Sequence, residues 1–243
     1  MNLIVDVGNT YVKFAVFDYG ALKDKIVGEI SNFNAIALSV LEQYPQINRA
    51  IVSSVGLLEQ RHIQTLKNEV QVLELSHELK LPFVNKYTTP RTLGVDRIAL
   101  VSASVEQFSE RNVLVIDAGT CITYDFINTA NEYLGGAISP GIRLRYKTLH
   151  ALTANLPLLE TTSPDDILGD STENAIHSGV VFGVLKEIDG VIDDYAQKYE
   201  HLTVILTGGD TKFLSNQLKN SIFANSNFLL EGLNFILDYN LQQ

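Results

Sequence analysis

The stretch that decides the fold is LIVDVGNTYVKFAVFD, residues 3–18. Residues 3–7 form a short apolar run, and 11–17 form a second run rich in aromatic and β-branched side chains. Both read as strands. Between them stands Asp6-Val-Gly-Asn-Thr10: an acid, a glycine and two small polar residues. A glycine in such a turn lets the backbone approach a ligand closely, because no Cβ is in the way. Its N–H groups can line a concave anion site. An Asp at the strand end can hold a magnesium ion, usually through water. For one copy the bland reading is the stronger, since Asp-x-Gly at a hairpin is ordinary turn chemistry.

The motif recurs. VLVIDAGTCITYDFI, residues 113–127, again places an acid and a glycine between two strands, as Asp117-Ala-Gly-Thr120. Each copy opens a strand–strand–strand–helix run. A third strand is expected over 25–31 and a helix over 34–44 in the first copy. The second copy has a strand over 132–138 and a helix over 141–153. This divergent repeat predicts an α/β fold of two duplicated lobes, 1–112 and 113–243, each a mixed sheet flanked by helices. Further strands are expected over 49–53, 70–75 and 203–206. Further helices are expected over 57–69, 96–108, 172–198, 211–219 and 229–240, with 79–91 as a proline-bearing loop. A third polar turn, Thr207-Gly-Gly-Asp210, joins the strand over 203–206 to the next helix. A double glycine there suits close packing of a flat ring beside a helix N-terminus. No G-x-x-x-x-G-K-[ST] loop is present, and a strand follows each Asp-x-Gly turn where a helix would follow a Walker loop. Two such turns facing each other suit the phosphates of one nucleotide.

Composition narrows the partners. The 243 residues include 18 basic and 28 acidic side chains, a formal charge of −10. That balance argues against binding a nucleic acid backbone and against a polybasic membrane contact. It leaves a nucleotide ligand open, since such sites use backbone N–H groups and a metal. The single cysteine, Cys121, allows no intrachain disulfide and points to a reducing compartment. It reads as a small apolar filler in its strand. The start of the chain lacks signal-peptide character, and no apolar run reaches the length of a membrane span, so a cytoplasmic protein is expected. The five histidines show no metal-ligand spacing.

Two Asp-x-Gly turns in duplicated lobes, with a Gly-Gly turn near the C-terminus, resemble the acetate/sugar kinase and actin-like ATPase superfamily, whose lobes are ribonuclease H-like. Within it the chain resembles the type III pantothenate kinases over essentially its whole length. The first phosphate motif of that family matches Asp6, Val7, Gly8, Asn9, Thr10, Tyr11, Val12 and Lys13. Gly94-Val-Asp-Arg97 matches its Gly-Ala-Asp-Arg motif, and Asp117-Ala-Gly-Thr120 its second phosphate motif. Gly135-Gly-Ala-Ile-Ser-Pro-Gly141 matches a Gly-Gly-x-Ile-x-Pro-Gly run. Asp170-Ser-Thr172 with Ala175, Ile176 and Gly179 matches the opening of a dimer-interface helix. Val95 stands where the family usually has Ala, and Thr211 where Ala is frequent after Gly-Gly-Asp.

The resemblance implies ATP-dependent phosphorylation of the primary hydroxyl of pantothenate, the first step toward coenzyme A. It makes Asp96 the base; without it, an Asp beside a helix start reads as an N-cap. Arg97 becomes the fork that clamps the substrate carboxylate, where otherwise it reads as a surface ion pair. Tyr87, Gly94 and Val95 join the substrate site; Tyr87 alone reads as a loop aromatic packed on the core. Asp6 becomes the magnesium-side acid and Asp117 the ligand of a monovalent cation, potassium or ammonium. Either is otherwise a strand-end turn residue. Thr10, Lys13 and Thr120 contact phosphate, and Gly208 and Gly209 pack on the adenosine. Lys13 alone reads as an outward-facing strand residue. Thr172 reaches the substrate across a homodimer interface, or caps its helix. The alternatives are a sugar kinase of the same superfamily and a non-catalytic nucleotide-binding regulator.

Overall fold

β1 (Asn2–Val7) and β2 (Tyr11–Asp18) pair antiparallel, from Asn2↔Phe17 to Val7↔Val12. The computed structural model describes residues 1–8, 11–54 and 58–241, so Asn9 and Thr10 lie outside the described residues. β3 (Ala21–Glu29) pairs with β2, while β4 (Arg49–Ser54) runs parallel to β1 on its other side and β5 (Gln71–Glu74) parallel to β4. The sheet order is β3-β2-β1-β4-β5. β1 is buried along its whole length, which suits the apolar run Leu3–Val5 at its centre. β3 alternates between exposed and half-buried positions and carries Lys23 and Lys25, as suits an edge strand.

The second half repeats this plan. β7 (Val113–Ala118) pairs antiparallel with β8 (Cys121–Ile127) and parallel with β10 (Thr203–Thr207), which pairs parallel with β11 (Phe223–Ala224). With β9 (Glu132–Pro140) beside β8, the order β9-β8-β7-β10-β11 matches β3-β2-β1-β4-β5 strand for strand. The fold is thus the duplicated mixed α/β arrangement, two mixed sheets flanked by helices.

The chain divides into two compact units. One comprises Met1–Glu110, Asn131–Tyr133 and Asn227–Gln243; the other comprises Arg111–Ala130 and Leu134–Ser226. In the first, Leu3, Val5 and Val7 pack on Phe33, Ala37 and Val40 of α1 (Phe33–Gln43) and Leu66 of α2 (Gln60–Lys67). Asn2 and Arg49, on the opposite face, meet the C-terminal helix. Asn2 Nδ2 donates to Asn234 Oδ1 at 2.7 Å, and Arg49 pairs with Asp238 at 2.7 Å. α3 (Val95–Gln107) packs beside that C-terminal helix. A short strand, β6 (Val84–Asn85), lies in the expected loop and pairs parallel with Glu132 and Tyr133.

In the second unit Leu114, Ile116 and Ala118 pack on α4 (Ile142–Ala151), α5 (Thr172–Lys198) and α6 (Thr211–Ser215). α5 has the expected bounds. α6 is shorter than the expected 211–219, because the Asp189 carboxylate of α5 accepts from the backbone N–H groups of Lys219 and Asn220. α7 (Phe228–Leu241) is the helix that returns to the first unit.

Candidate active site

Asp6 and Lys13 are register partners on β1 and β2, so both side chains leave the same face of the sheet. Lys13 Nζ donates to Asp6 Oδ2 at 3.1 Å. Asp6 is buried, while Lys13 is half exposed. Lys13 is therefore half of an ion pair as well as a half-exposed strand residue. Val7 and Val12 are core residues, and Gly8 N–H donates to the Tyr11 carbonyl at 3.0 Å. Tyr11 is exposed.

Gly94 occupies the N-cap position of α3, and Val95 is its first residue. Asp96 is therefore not the cap. Its Oδ1 accepts from Arg97 N–H at 2.9 Å, inside the positively polarised first turn. A Cβ on residue 94 would lie 2.3 Å from that same oxygen, so glycine makes the room into which the carboxylate folds. Burial pushes the Asp96 carboxyl above its ordinary value; the Arg97 N–H works against this, and the negative charge of Asp6 adds to it. Desolvation moves it toward neutrality, the direction that makes a carboxylate a stronger base.

Arg97 is not a surface residue. It is 5% exposed, with its guanidinium 5.7 Å from the ring centroid of Tyr87. Tyr87 in turn lies against Tyr133, ring centroids 5.9 Å apart. The first unit thus pairs Asp6 with Lys13 near the C-terminal end of its central strand, within electrostatic reach of Asp96, and couples Arg97 to Tyr87.

The second unit gathers the other residues. Asp117 is the last residue but one of β7, Gly119 N–H donates to the Cys121 carbonyl at 2.9 Å, and Thr120 is exposed. Gly208 has φ +95°, and a Cβ there would lie 2.3 Å from both Ala118 O and Asp117 Oδ1. Asp210 N–H donates to the Ala118 carbonyl at 3.0 Å. Thr211, the residue that departs from the family's frequent Ala, donates from Oγ1 to the Gly208 carbonyl at 2.7 Å and so ties down the Gly-Gly turn. Gly209 is exposed. A carboxylate oxygen beside a backbone carbonyl oxygen is a hard donor set, which suits an alkali or alkaline-earth cation.

Thr172 is the first residue of α5 and is exposed, but the N-cap is Ser171, whose Oγ accepts from Asn174 N–H at 3.2 Å. Thr172 lines a groove of about 740 Å³ together with Pro140, Leu149, Leu156, Ile176 and Val180. Arg145 also lines it, a residue the sequence reading did not single out. Arg145 donates to the Pro140 carbonyl at 2.9 Å and to Ser139 Oγ at 3.1 Å, and is ion-paired with Glu187. Tyr124 O–H donates to Glu187 Oε1 at 3.0 Å. Burial by itself raises the Glu187 carboxyl, but hydrogen bonds from Arg145, Ser139 and Tyr124 outweigh it and hold the group below its ordinary value. No sequence motif links Arg145 to Glu187; only their placement on adjacent helices does. Cys121 is exposed at the start of β8, so it is not a buried filler.

Over residues 2–194 the chain matches the family model described as type III pantothenate kinase. It is similar to the type III pantothenate kinase of Flavobacterium johnsoniae, at 50% identity over 241 residues that cover 99% of each chain. It is equally similar to that of Christiangramia forsetii, at 50% identity over 243 residues and 100% of each chain. Among solved structures it resembles a ROK family glucokinase from Streptomyces griseus, with a TM-score of 0.55 at 11% identity over 100% of this chain and 99% of that one. That last likeness is one of fold alone.

Proposed function

The chain belongs to the type III pantothenate kinase family, and on that premise we propose how its own residues carry out the family's reaction. The reaction is ATP-dependent phosphorylation of pantothenate to 4'-phosphopantothenate, the first step of coenzyme A biosynthesis. Phosphoryl transfer of this kind needs an aligned hydroxyl, neutralised phosphates and an acceptor for the hydroxyl proton. Asp96 is the proposed acceptor. The observation that carries this role is its half-buried carboxyl at the head of α3, raised by desolvation and by the negative charge of Asp6. It orients the pantothenate hydroxyl and takes its proton as the phosphoryl group moves across.

Arg97, fixed against Tyr87, presents its fork to the pantothenate carboxylate, while Gly94 and Val95 border the same substrate. Lys13, half exposed on its strand, turns from Asp6 to the ATP phosphates. Gly8, Asn9, Thr10 and Thr120 supply the remaining phosphate contacts, and Gly208 and Gly209 pack on the adenosine. Asp6 holds magnesium through water, and Asp117 with the Ala118 carbonyl holds potassium or ammonium. Such cations, when bound, supply positive charge against the phosphates. Thr172 reaches pantothenate across a homodimer. Support for that pairing comes from the groove beside α5 and from exposed apolar residues nearby in sequence: Leu152, Leu158, Ile167 and Leu168. The proposed place of action is the cytoplasm; among the described residues no helix is long and apolar enough to cross a membrane.

The test is phosphate transfer by purified protein from ATP to pantothenate and to a panel of sugars, with magnesium, with and without potassium. Turnover on pantothenate that rises with potassium is expected. Turnover on a sugar with none on pantothenate would overturn the substrate, and potassium-independent turnover would overturn the Asp117 role.

A further inference from the structure

Lys13, Asp6 and Ser53 stand in one row across β2, β1 and β4, as the register pairs Asp6↔Lys13 and Asp6↔Ser53 show. Side chains in one row leave the same face of a sheet. Ser53 is fully buried, and its Oγ has no hydrogen-bond partner among the described residues. Buried hydroxyls are normally satisfied, and an unsatisfied one in a native chain needs a reason.

The second unit has the same row. Thr123, Asp117 and Thr207 are register partners across β8, β7 and β10. Thr207 takes the place of Ser53 and is 2% exposed. Both copies of the duplicated sheet thus set a buried β-hydroxyl beside the acid, on its parallel side. A residue chosen only to fill space need not carry a hydroxyl in either copy.

Asp6 is held on its antiparallel side by Lys13, at 3.1 Å. Lys13 is half exposed and mobile on a long stem, so polyphosphate competes with Asp6 for it. When Lys13 turns to phosphate, the buried Asp6 carboxylate loses its donor while the neighbouring Asp96 still repels it. The hydroxyl of Ser53 is one strand away on the other side.

We infer that Ser53 is a positioning residue whose hydroxyl takes over the hydrogen bond to Asp6 when bound nucleotide draws Lys13 away, keeping that carboxylate aimed at the magnesium nucleotide. The inference rests on the roles proposed above for Asp6 and Lys13.

The experiment compares Ser53→Ala, Ser53→Thr and Asp6→Asn with the unmodified chain. Affinity for ATP is measured by calorimetry with magnesium and with a chelator, beside magnesium titrations of turnover. Ser53→Ala is expected to weaken magnesium-dependent ATP affinity about tenfold, the scale of one hydrogen bond lost to a charged group. Its ATP affinity in chelator and its KM for pantothenate are expected to stay unchanged, and Ser53→Thr to keep the magnesium response. The melting temperature of nucleotide-free Ser53→Ala is expected not to fall, because no bond is lost in that state; a fall would mark a structural role and overturn the inference. Magnesium-dependent affinity unchanged in Ser53→Ala but weakened in Asp6→Asn also overturns it. If Asp6→Asn leaves that affinity unchanged as well, the role of Asp6 itself fails, and the inference with it. Should Ser53→Ala not fold, Ser53→Cys, of similar shape but a weak donor, takes its place in each comparison.

Discussion

Gly232→Ala tests whether α3 holds the proposed base, Asp96, in place through its contact with α7. At the crossing, Gly232 faces Ala99 and Ala103. An added Cβ would lie 1.9 Å from the Ala99 carbonyl oxygen and 3.1 Å from Ala103 Cβ. A carbon and a carbonyl oxygen rest at about 3.3 Å or more, so the helices must part locally by roughly 1.4 Å. The oxygen belongs to a helix backbone and cannot rotate away. Overpacking of this kind costs about 1–3 kcal/mol, and the better helix propensity of Ala returns about 1 kcal/mol. The net loss of about 0–2 kcal/mol corresponds to a fall of up to roughly 8 °C in melting temperature for a chain of this size. Ala99 lies one turn after Asp96 on the same helix, so the displacement reaches the base. A misplacement near 1 Å costs about a hundredfold in rate. The assay is a thermal melt of the ligand-free protein with steady-state kinetics on pantothenate. Gly190→Ala on α5 is the control: a Cβ there meets nothing within 4 Å, so a small gain in stability is expected. If Gly232→Ala also melts higher and turns over normally, the two helices are not wedged at that point and the reasoning fails.

Asp96→Asn is expected to bind ATP but to lose about 10²–10⁴ in turnover, and near-normal turnover would remove Asp96 as the base. The same variant is expected to melt higher at pH 7, because burial raises the Asp96 carboxyl and its ionised form costs stability. The native chain takes up that proton more readily than the unfolded one. The advantage of the variant should therefore shrink as pH falls through the raised value and vanish below the ordinary carboxylate range; an advantage that persists in acid would refute the desolvation argument. Thr172→Ala is expected to raise the KM for pantothenate without changing the mass seen by light scattering, and an unchanged KM would sink the cross-interface role. Gly208→Ala forces a side chain to φ +95° and within 2.3 Å of Asp117 Oδ1, so the potassium response and ATP affinity should both fall. A normal potassium response in that variant would separate Gly208 and Asp117 from any cation.

The parts of the fold legible in the sequence are those set by local pattern. β1 and β7 read as strands because both faces are buried, which leaves the apolar runs 3–5 and 113–116, and each leads into an Asp-x-Gly turn. α5 read correctly from Thr172 to Lys198, since apolar residues recur at helical spacing along it, although its cap is Ser171 and not Thr172. What stayed hidden depends on partners distant in sequence. Asp189 ends α6 early by taking the N–H groups of Lys219 and Asn220, thirty-odd residues away. α7 is amphipathic, but a stripe does not say which sheet it covers; the contacts of Asn234 and Asp238 with Asn2 and Arg49 decide that. At the site, Gly94-Val-Asp-Arg97 was visible as a motif, yet the reason for its glycine was not. Only the structure shows the Asp96 carboxylate occupying the space of the missing Cβ. Arg145 and Glu187 carry no spacing signature at all, because their pairing crosses from one helix to another.

The duplication also separates what the two halves share from what each does. Asp6 and Asp117 end equivalent strands, with a parallel neighbour on one side and an antiparallel one on the other. On the parallel side both have a hydroxyl residue, Ser53 or Thr207. On the antiparallel side the copies differ: Asp6 faces Lys13, and Asp117 faces the uncharged Thr123. A carboxylate paired with a half-exposed lysine can trade that cation for magnesium when phosphate arrives, and it is neutralised in the meantime. Asp117 has no lysine at the matching register position, in line with the different cation proposed for it. Under the proposed roles, this one difference between the neighbouring strands, lysine against threonine, separates the acid for a metal that comes with the nucleotide from the acid for a monovalent ion.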